Sequence, residues 1–233
     1  MTRLANHCAV VTGAGAGIGK AIAIRLAQEG AWIVVNDLYL NRAEATAAHI
    51  IKAGGTALAI AGDVSDPVDV DRAYDLGEAA WGRITLSINN AGIVNQSLLA
   101  EMELADFDRM IAVHLRGCFI CCRRAIGSMV EAGSGCIINI ASQLGQVGGV
   151  ELSHYAAAKA GIIGLTKSLP REVSGKGVRV NAVAPGPIKT DLVMALSEDW
   201  RNAKAAELPL GYFGVPEDVA GSVAFLASED AKI

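Results

Sequence analysis

Tyr155 and Lys159 stand four residues apart in the stretch SHYAAAKAG, residues 153–161. On a helix that spacing puts both side chains on one face. Ala156, Ala157, Ala158 and Gly161 keep the surface around them low. A free tyrosine ionises at about pH 10, too high for an efficient base at neutral pH. A neighbouring ammonium favours the phenolate and lowers that value. The pair is therefore equipped to move a proton. The same pattern also describes a packed helix face with two snorkelling side chains, so the surrounding elements must discriminate.

Those elements alternate along the chain. Short β-rich runs at 8–12, 31–36, 56–61, 84–89, 135–141 and 178–184 read as buried strands. Helix-length segments occupy 17–29, 41–53, 67–80, 103–131 and 153–174, with further helices expected over 191–206 and 216–228. Continuously apolar strands separated by helices indicate a parallel sheet covered on both faces. The predicted fold is a single α/β domain, a doubly wound, Rossmann-like parallel sheet. Such sheets bind ligands at the carboxyl ends of their strands, so the loops after those strands matter most.

The first loop is TGAGAGIGK, Thr12 to Lys20. Gly13, Gly17 and Gly19, with Ile18 between them, allow a tight turn and a close backbone approach at a helix N-terminus, where free amides attract a pyrophosphate. Taken alone, this is also an ordinary strand-to-helix turn. The second strand leads to Asp37, about twenty residues beyond the glycine turn, where a carboxylate accepts hydrogen bonds from ribose hydroxyls and repels a 2′-phosphate. Ala16 and Leu38 offer no basic residue to rescue such a phosphate. The expected cofactor is therefore NAD. Asp37 or Asn41 could instead cap the next helix. Asp63, followed by Val64, is placed to meet an adenine amino group, while Asp66 before Pro67 reads as a helix cap. Asn90 lies in the polar loop NNAG, and APGPIKTDL contributes Pro185, Ile188 and Thr190.

TGxxxGxG, Asp-Val, NNAG, a serine thirteen residues before YxxxK, and Pro-Gly after the next strand together resemble the short-chain dehydrogenase/reductase (SDR) family. The ordered set runs from about residue 8 to the end. The resemblance implies hydride transfer between NAD(H) and a secondary alcohol or ketone. Ser142 would hold the substrate oxygen, Tyr155 would give or take its proton, and Lys159 would bind the nicotinamide ribose. The family usually places a catalytic asparagine on the long helix, where it helps hold a proton-relaying water. This chain has His114 there, in AVHLRGCF. An imidazole also donates and accepts protons, so His114 is expected to serve the relay. The resemblance further implies a homo-oligomer, with a tetramer favoured. It also implies one more C-terminal strand, apparently missing after FLASEDAKI.

The bulk numbers agree. The chain has 233 residues, 52% apolar and 19% charged, with a net charge of −4. That composition supports a sizeable core, and the absence of a basic cluster speaks against nucleic-acid binding. No apolar run approaches the length of a membrane span, so no membrane partner and a cytoplasmic location are expected. Of five cysteines, Cys118, Cys121 and Cys122 cluster near His114. They read as reduced thiols on a buried helix face, and no metal is expected. Pro170 should kink the helix over 153–174 or end it early. Residues 187–215 form a candidate substrate lid carrying Leu192, Met194, Trp200, Leu208, Leu210, Tyr212 and Phe213. Gln143, Gln146 and Glu151 could favour a polar group on the substrate. Two alternatives compete with the alcohol dehydrogenase. One is an NADPH-dependent 3-oxoacyl thioester reductase, against which Asp37 weighs, with only Arg123, Arg124, Arg171 and Lys176 to meet an acidic carrier protein. The other is a cofactor-binding scaffold with vestigial catalysis.

Overall fold

The computed structural model describes residues 2–194 and 198–232; the side chains of Leu192 and Trp200 lie outside the described residues. Among those described, six strands form: β1 (Cys8–Thr12), β2 (Trp32–Asp37), β3 (Thr56–Ala61), β4 (Leu86–Asn89), β5 (Gly135–Ile140) and β6 (Val178–Val183). They pair in parallel in the order β3-β2-β1-β4-β5-β6. The order reverses between β1 and β4, which opens the crevice where doubly wound sheets bind ligands.

The helices are α1 (Gly17–Gln28), α2 (Leu40–Lys52), α3 (Pro67–Trp81), α4 (Leu104–Ile111), α5 (Gly117–Glu131), α6 (Leu144–Val147), α7 (Ser153–Val173), α8 (Asp191–Met194), α9 (Glu198–Ala206) and α10 (Pro216–Ala227). Alternate strand residues face opposite sides. Ala9 and Val11 of β1 join a core with α1, α2 and α10, through Ile22, Leu26, Ile50 and Val223. Cys8 and Val10 join the opposite core with α3, α5 and α7, through Tyr74, Met129 and Ile162. Burying a side chain such as Ile22 contributes about 1.5–3 kcal/mol. Among the described residues, no helix is long and apolar enough to cross a membrane.

Several local expectations change. The helix expected over 103–131 is interrupted by a π-helical segment, Ala112–Arg116, between α4 and α5. The Gly117 amide there bonds back to the Ala112 carbonyl. Such wide turns cluster at functional sites, and His114 lies at the centre of this one. α7 continues through Pro170 to Val173. The proline forfeits a single bond about one turn before the helix ends, so it does not end the helix early. Asp66 caps α3, accepting from the Val68 amide at 2.9 Å. Neither Asp37 nor Asn41 is the N-cap of α2; Tyr39 holds that position, without a side-chain cap bond. The segment 191–206 contains α8 and α9, with 195–197 outside the described residues.

Candidate active site

The glycine turn after β1 is built for a close ligand. A side chain on Gly13, at φ 61°, would meet the Ala91 backbone at 2.7 Å, and one on Gly19 would meet the Gly13 carbonyl at 2.1 Å. The Asn90 amide donates to the Thr12 and Gly13 carbonyls at 3.0 and 3.2 Å, and Thr12 Oγ1 accepts from the amides of Asn90 and Ala91. Loops after β1 and β4 are thereby joined across the crevice. No side chain caps the first turn of α1, and no acidic residue occupies it. Its amides are therefore free for an anion. Ile18 packs against the core beside this turn. Thr190 stands over it: a Cβ on Gly17 would lie 3.3 Å from Thr190 Cγ2. These residues fit the pyrophosphate of a dinucleotide.

Asp37 ends β2 and is buried. Its Oδ2 accepts from the Gly15 amide at 3.0 Å and its Oδ1 from the Tyr39 amide at 3.1 Å. A carboxylate offers about four acceptor sites, so capacity remains for ribose hydroxyls. Sequence reasoning missed Arg42 here. Its Cβ approaches Gly15, and its guanidinium lies 4.8 Å over the Tyr39 ring. Asp63 is more committed than expected. Arg109 donates to its Oδ2 at 2.9 Å, and the Ser65 amide and hydroxyl donate to its Oδ1. An adenine amino group would have to share that carboxylate. Val64 is buried against Gly117.

Ser142 follows β5, and Tyr155 and Lys159 come from α7 as their spacing requires. A hydrogen bond joins Ser142 to the Tyr155 phenol. Lys159 is 4% exposed. Its Nζ donates to the Ile140 carbonyl at 2.6 Å and lies 5.6 Å from the centroid of the Tyr155 ring. Burial brings its pKa down to about 8, opposed by Cys118. The lowered phenol pKa expected for Tyr155 is not what this arrangement produces. Burial pushes the phenol up, while the bond from Ser142 pulls it back. The ammonium faces the ring, and its hydrogen bond goes to a backbone carbonyl.

His114 is buried on the π segment. Its Nε2 lies 2.7 Å from the Ile93 carbonyl and 3.1 Å from the Ile93 amide nitrogen, so the tautomer sets whether it donates to the first or accepts from the second. Nδ1 is buried with no partner among the described residues. Burial, helped by the charge of Lys159, brings the pKa of His114 down to about 3. The imidazole is neutral across the working range. A second histidine escaped the sequence reading. His154, fully buried beside Tyr155, has its Nε2 3.0 Å from Asn95 Oδ1. It opens the buried stripe His154, Ala158, Ile162, Thr166 of α7, and a histidine heading an apolar i, i+4 stripe was the available signal.

Pro185 accepts from the Gln143 amide at 3.0 Å. Gln143 is half-buried, with Oε1 3.5 Å from where a Gly186 Cβ would be, whereas Gln146 and Glu151 are exposed. Ile188 pairs with Gly214, and the Lys189 amide donates to the Gly214 carbonyl at 2.8 Å. The two ends of the 187–215 segment are strapped together. Within it Phe213 is buried, while Met194, Leu210 and Tyr212 are exposed. All five cysteines are buried and free.

Residues 7–201 match the family model described as short chain dehydrogenase. The chain belongs to the short-chain dehydrogenase family. It is 41% identical over 225 residues to the 3-oxoacyl-(acyl-carrier-protein) reductase of Staphylococcus aureus strain Mu50, covering 96% of this chain and 92% of that protein. A reductase of the same description from Synechocystis sp. is 41% identical over 232 residues, 99% of this chain and 93% of that one. Membership makes the protein an oxidoreductase that binds a nicotinamide cofactor and acts on CH–OH or C=O groups. The relatives favour the 3-oxoacyl thioester alternative over the simple secondary alcohol.

Proposed function

We propose that the protein reduces the 3-keto group of 3-oxoacyl thioesters, drawing on NADH. The observation that carries the reaction type is the Tyr155–Lys159–Ser142 cluster, with a phenol held protonated by burial. A protonated phenol is an acid, the form that reduction needs. The substrate class comes from what the relatives are named for.

When bound, the reduced nicotinamide supplies a hydride to the carbonyl carbon. Ser142 and Tyr155 hold the carbonyl oxygen, and Tyr155 gives it the proton. Lys159, positively charged below about pH 8, stabilises the phenolate that remains. Gly13, Gly17, Ile18 and Gly19 hold the pyrophosphate, with Thr190 over the turn. Asp37 takes the adenosine ribose, Asp63 and Val64 border the adenine, and Asn90, Pro185 and Ile188 line the nicotinamide side. Gln143 offers an amide to the thioester oxygen. His114 acts by position: it ties Ile93 to the π segment and stands against the Tyr155 ring. A relay that charges the ring is disfavoured by its surroundings.

Asp37 supports NADH, because its buried carboxylate repels a 2′-phosphate. Arg42 supports a second reading, NADPH, since its guanidinium lies on the same edge. The carrier is less defined than the acyl group: Arg124 is occupied by Asp71, Asp75 and Glu78. Exposed Leu99, Leu104 and Phe107 support a homo-oligomer, read as a tetramer. Buried free thiols suit a reducing cytoplasm. Steady-state reduction of a 3-oxoacyl thioester and of a simple ketone tests the substrate reading. Higher kcat/KM for the thioester is expected; equal values would return the secondary-alcohol reading. Tyr155→Phe should lower turnover by about 10²–10⁴-fold and leave cofactor binding intact, whereas unchanged turnover would support the scaffold.

A further inference from the structure

A chain of buried polar side chains crosses the sheet directly beside Lys159, and the reaction scheme does not use it. The hydroxyls of Tyr74 and Ser87 are 2.6 Å apart, and Ser87 donates to Asn89 Oδ1 at 3.0 Å. Asn89 Nδ2 donates to Asn139 Oδ1 at 2.8 Å, and Asn139 Nδ2 donates to Thr166 Oγ1 at 2.9 Å. Thr166 donates to the Ile162 carbonyl at 2.8 Å. Asn139 Oδ1 also takes the Cys118 thiol at 3.2 Å. Asn139 is 0% exposed and Thr166 is 8% exposed. The ladder runs from α3 through β4 and β5 to α7.

We propose that the Asn139–Thr166 bond sets where α7 lies along β5, and so places the Lys159 ammonium beneath Tyr155. Asn139 and Ile140 are consecutive on β5. Thr166 and Lys159 are seven positions apart on α7, two turns on one stripe. Two bonds from that stripe therefore converge on adjacent β5 residues: Asn139 to Thr166, and Lys159 to Ile140. The second depends on the first, because a flexible lysine stem reaches Ile140 only while the helix holds its register. An apolar pair could not substitute. Dispersion contacts tolerate a slide of a few tenths of an ångström, whereas a buried amide left unpaired is costly. Asn139 and Thr166 are positioning residues, and they touch neither substrate nor cofactor in this scheme.

The titratable groups facing Lys159 are Tyr155 on its own helix, Cys118 on α5 and His114 on the π segment. None is altered in the test. Thr166→Val keeps the shape and removes the acceptor; Thr166→Ser keeps the hydroxyl. The Lys159 side chain is titrated by ¹³C-lysine NMR in the cofactor-free protein, and turnover is measured separately. Losing the Ile140 acceptor disfavours the ammonium. For Thr166→Val the midpoint should fall by about half a unit or more. Turnover should drop about tenfold while the KM for the dinucleotide stays within about twofold. Thr166→Ser should restore both. A Thr166→Val protein that only melts earlier, with midpoint and turnover unchanged, overturns the proposal. If that variant does not fold, Thr166→Ala, which removes the same acceptor and leaves the Asn139 bonds to Asn89 and Cys118 in place, is read the same way. The kinetic arm rests on the reductase reading, but the titration does not, so a wrong substrate cannot mimic a wrong ladder.

Discussion

The rings of His114 and Tyr155 meet edge to face, with centroids 5.2 Å apart and planes at 85°. A Cβ on Gly92 would lie 2.4 Å from His114 Cε1, so the imidazole is clamped between the β4 loop and the phenol. This buried, neutral ring can be tested by acid. The His114 pKa is about 3 when folded and about 6.5 when unfolded. Between those values the unfolded chain binds more protons, so stability falls as pH drops through that window. At pH 5 the loss is about 2 kcal/mol. Denaturant unfolding of His114→Asn at pH 7 and pH 5 should show a smaller loss than the native chain. Equal losses would mean that the ring titrates normally.

The same clamp bears on catalysis. His114→Ala opens a gap beside Tyr155 and frees Ile93, so turnover should fall about tenfold with dinucleotide affinity nearly intact. His114→Asn, which keeps a hydrogen-bonding group, should recover part of the rate. Unchanged turnover in His114→Ala removes the positioning role.

Lys159 gives the pH profile its sign. Its pKa is brought down to about 8, so the ammonium is present below that pH and lost above it. Carbonyl reduction should decline as pH rises through about 8. Lys159→Met should be slow at every pH and lack that limb. His114 variants should keep it, since the ring they lose does not titrate near neutrality. A limb that survives in Lys159→Met would assign it to another group.

Asp37 predicts cofactor choice. Asp37→Ser removes a charge beside the 2′ position and should raise the NADPH/NADH ratio of kcat/KM by about 10- to 100-fold. Arg42→Ala should leave NADH kinetics nearly unchanged. A large loss with NADPH in Arg42→Ala, from a wild type that already prefers NADPH, would favour the second reading.

Gly13 offers a test of the cradle. At φ 61°, with the Ala91 backbone 2.7 Å from any added Cβ, Gly13→Ala strains the turn and separates the β1 and β4 loops. A stability loss of about 1–3 kcal/mol should appear together with weakened dinucleotide binding. Wild-type melting and binding would show that the loop tolerates a methyl.

The strands were legible because parallel strands buried on both faces are continuously apolar; AVV in β1 and IVV in β2 leave little choice. Tyr155, Lys159 and the glycine turn were legible because chemistry fixed their spacing. The π segment was not, since a shift from i−4 to i−5 bonding around His114 is decided by packing. Arg109 on Asp63 and Arg42 beside Gly15 were hidden for a similar reason: each meets its partner across the fold, 46 and 27 positions away in the chain. The raised phenol of Tyr155 depended on burial, and the sequence showed only the neighbouring lysine.

The most direct measurement is the initial rate of 3-oxoacyl thioester reduction by the wild-type protein, with NADH and NADPH compared at equal concentration and ionic strength. The account predicts reduction of the thioester with kcat/KM clearly higher for NADH, abolished by Tyr155→Phe. No reduction with either cofactor, or a clear preference for NADPH, would contradict it.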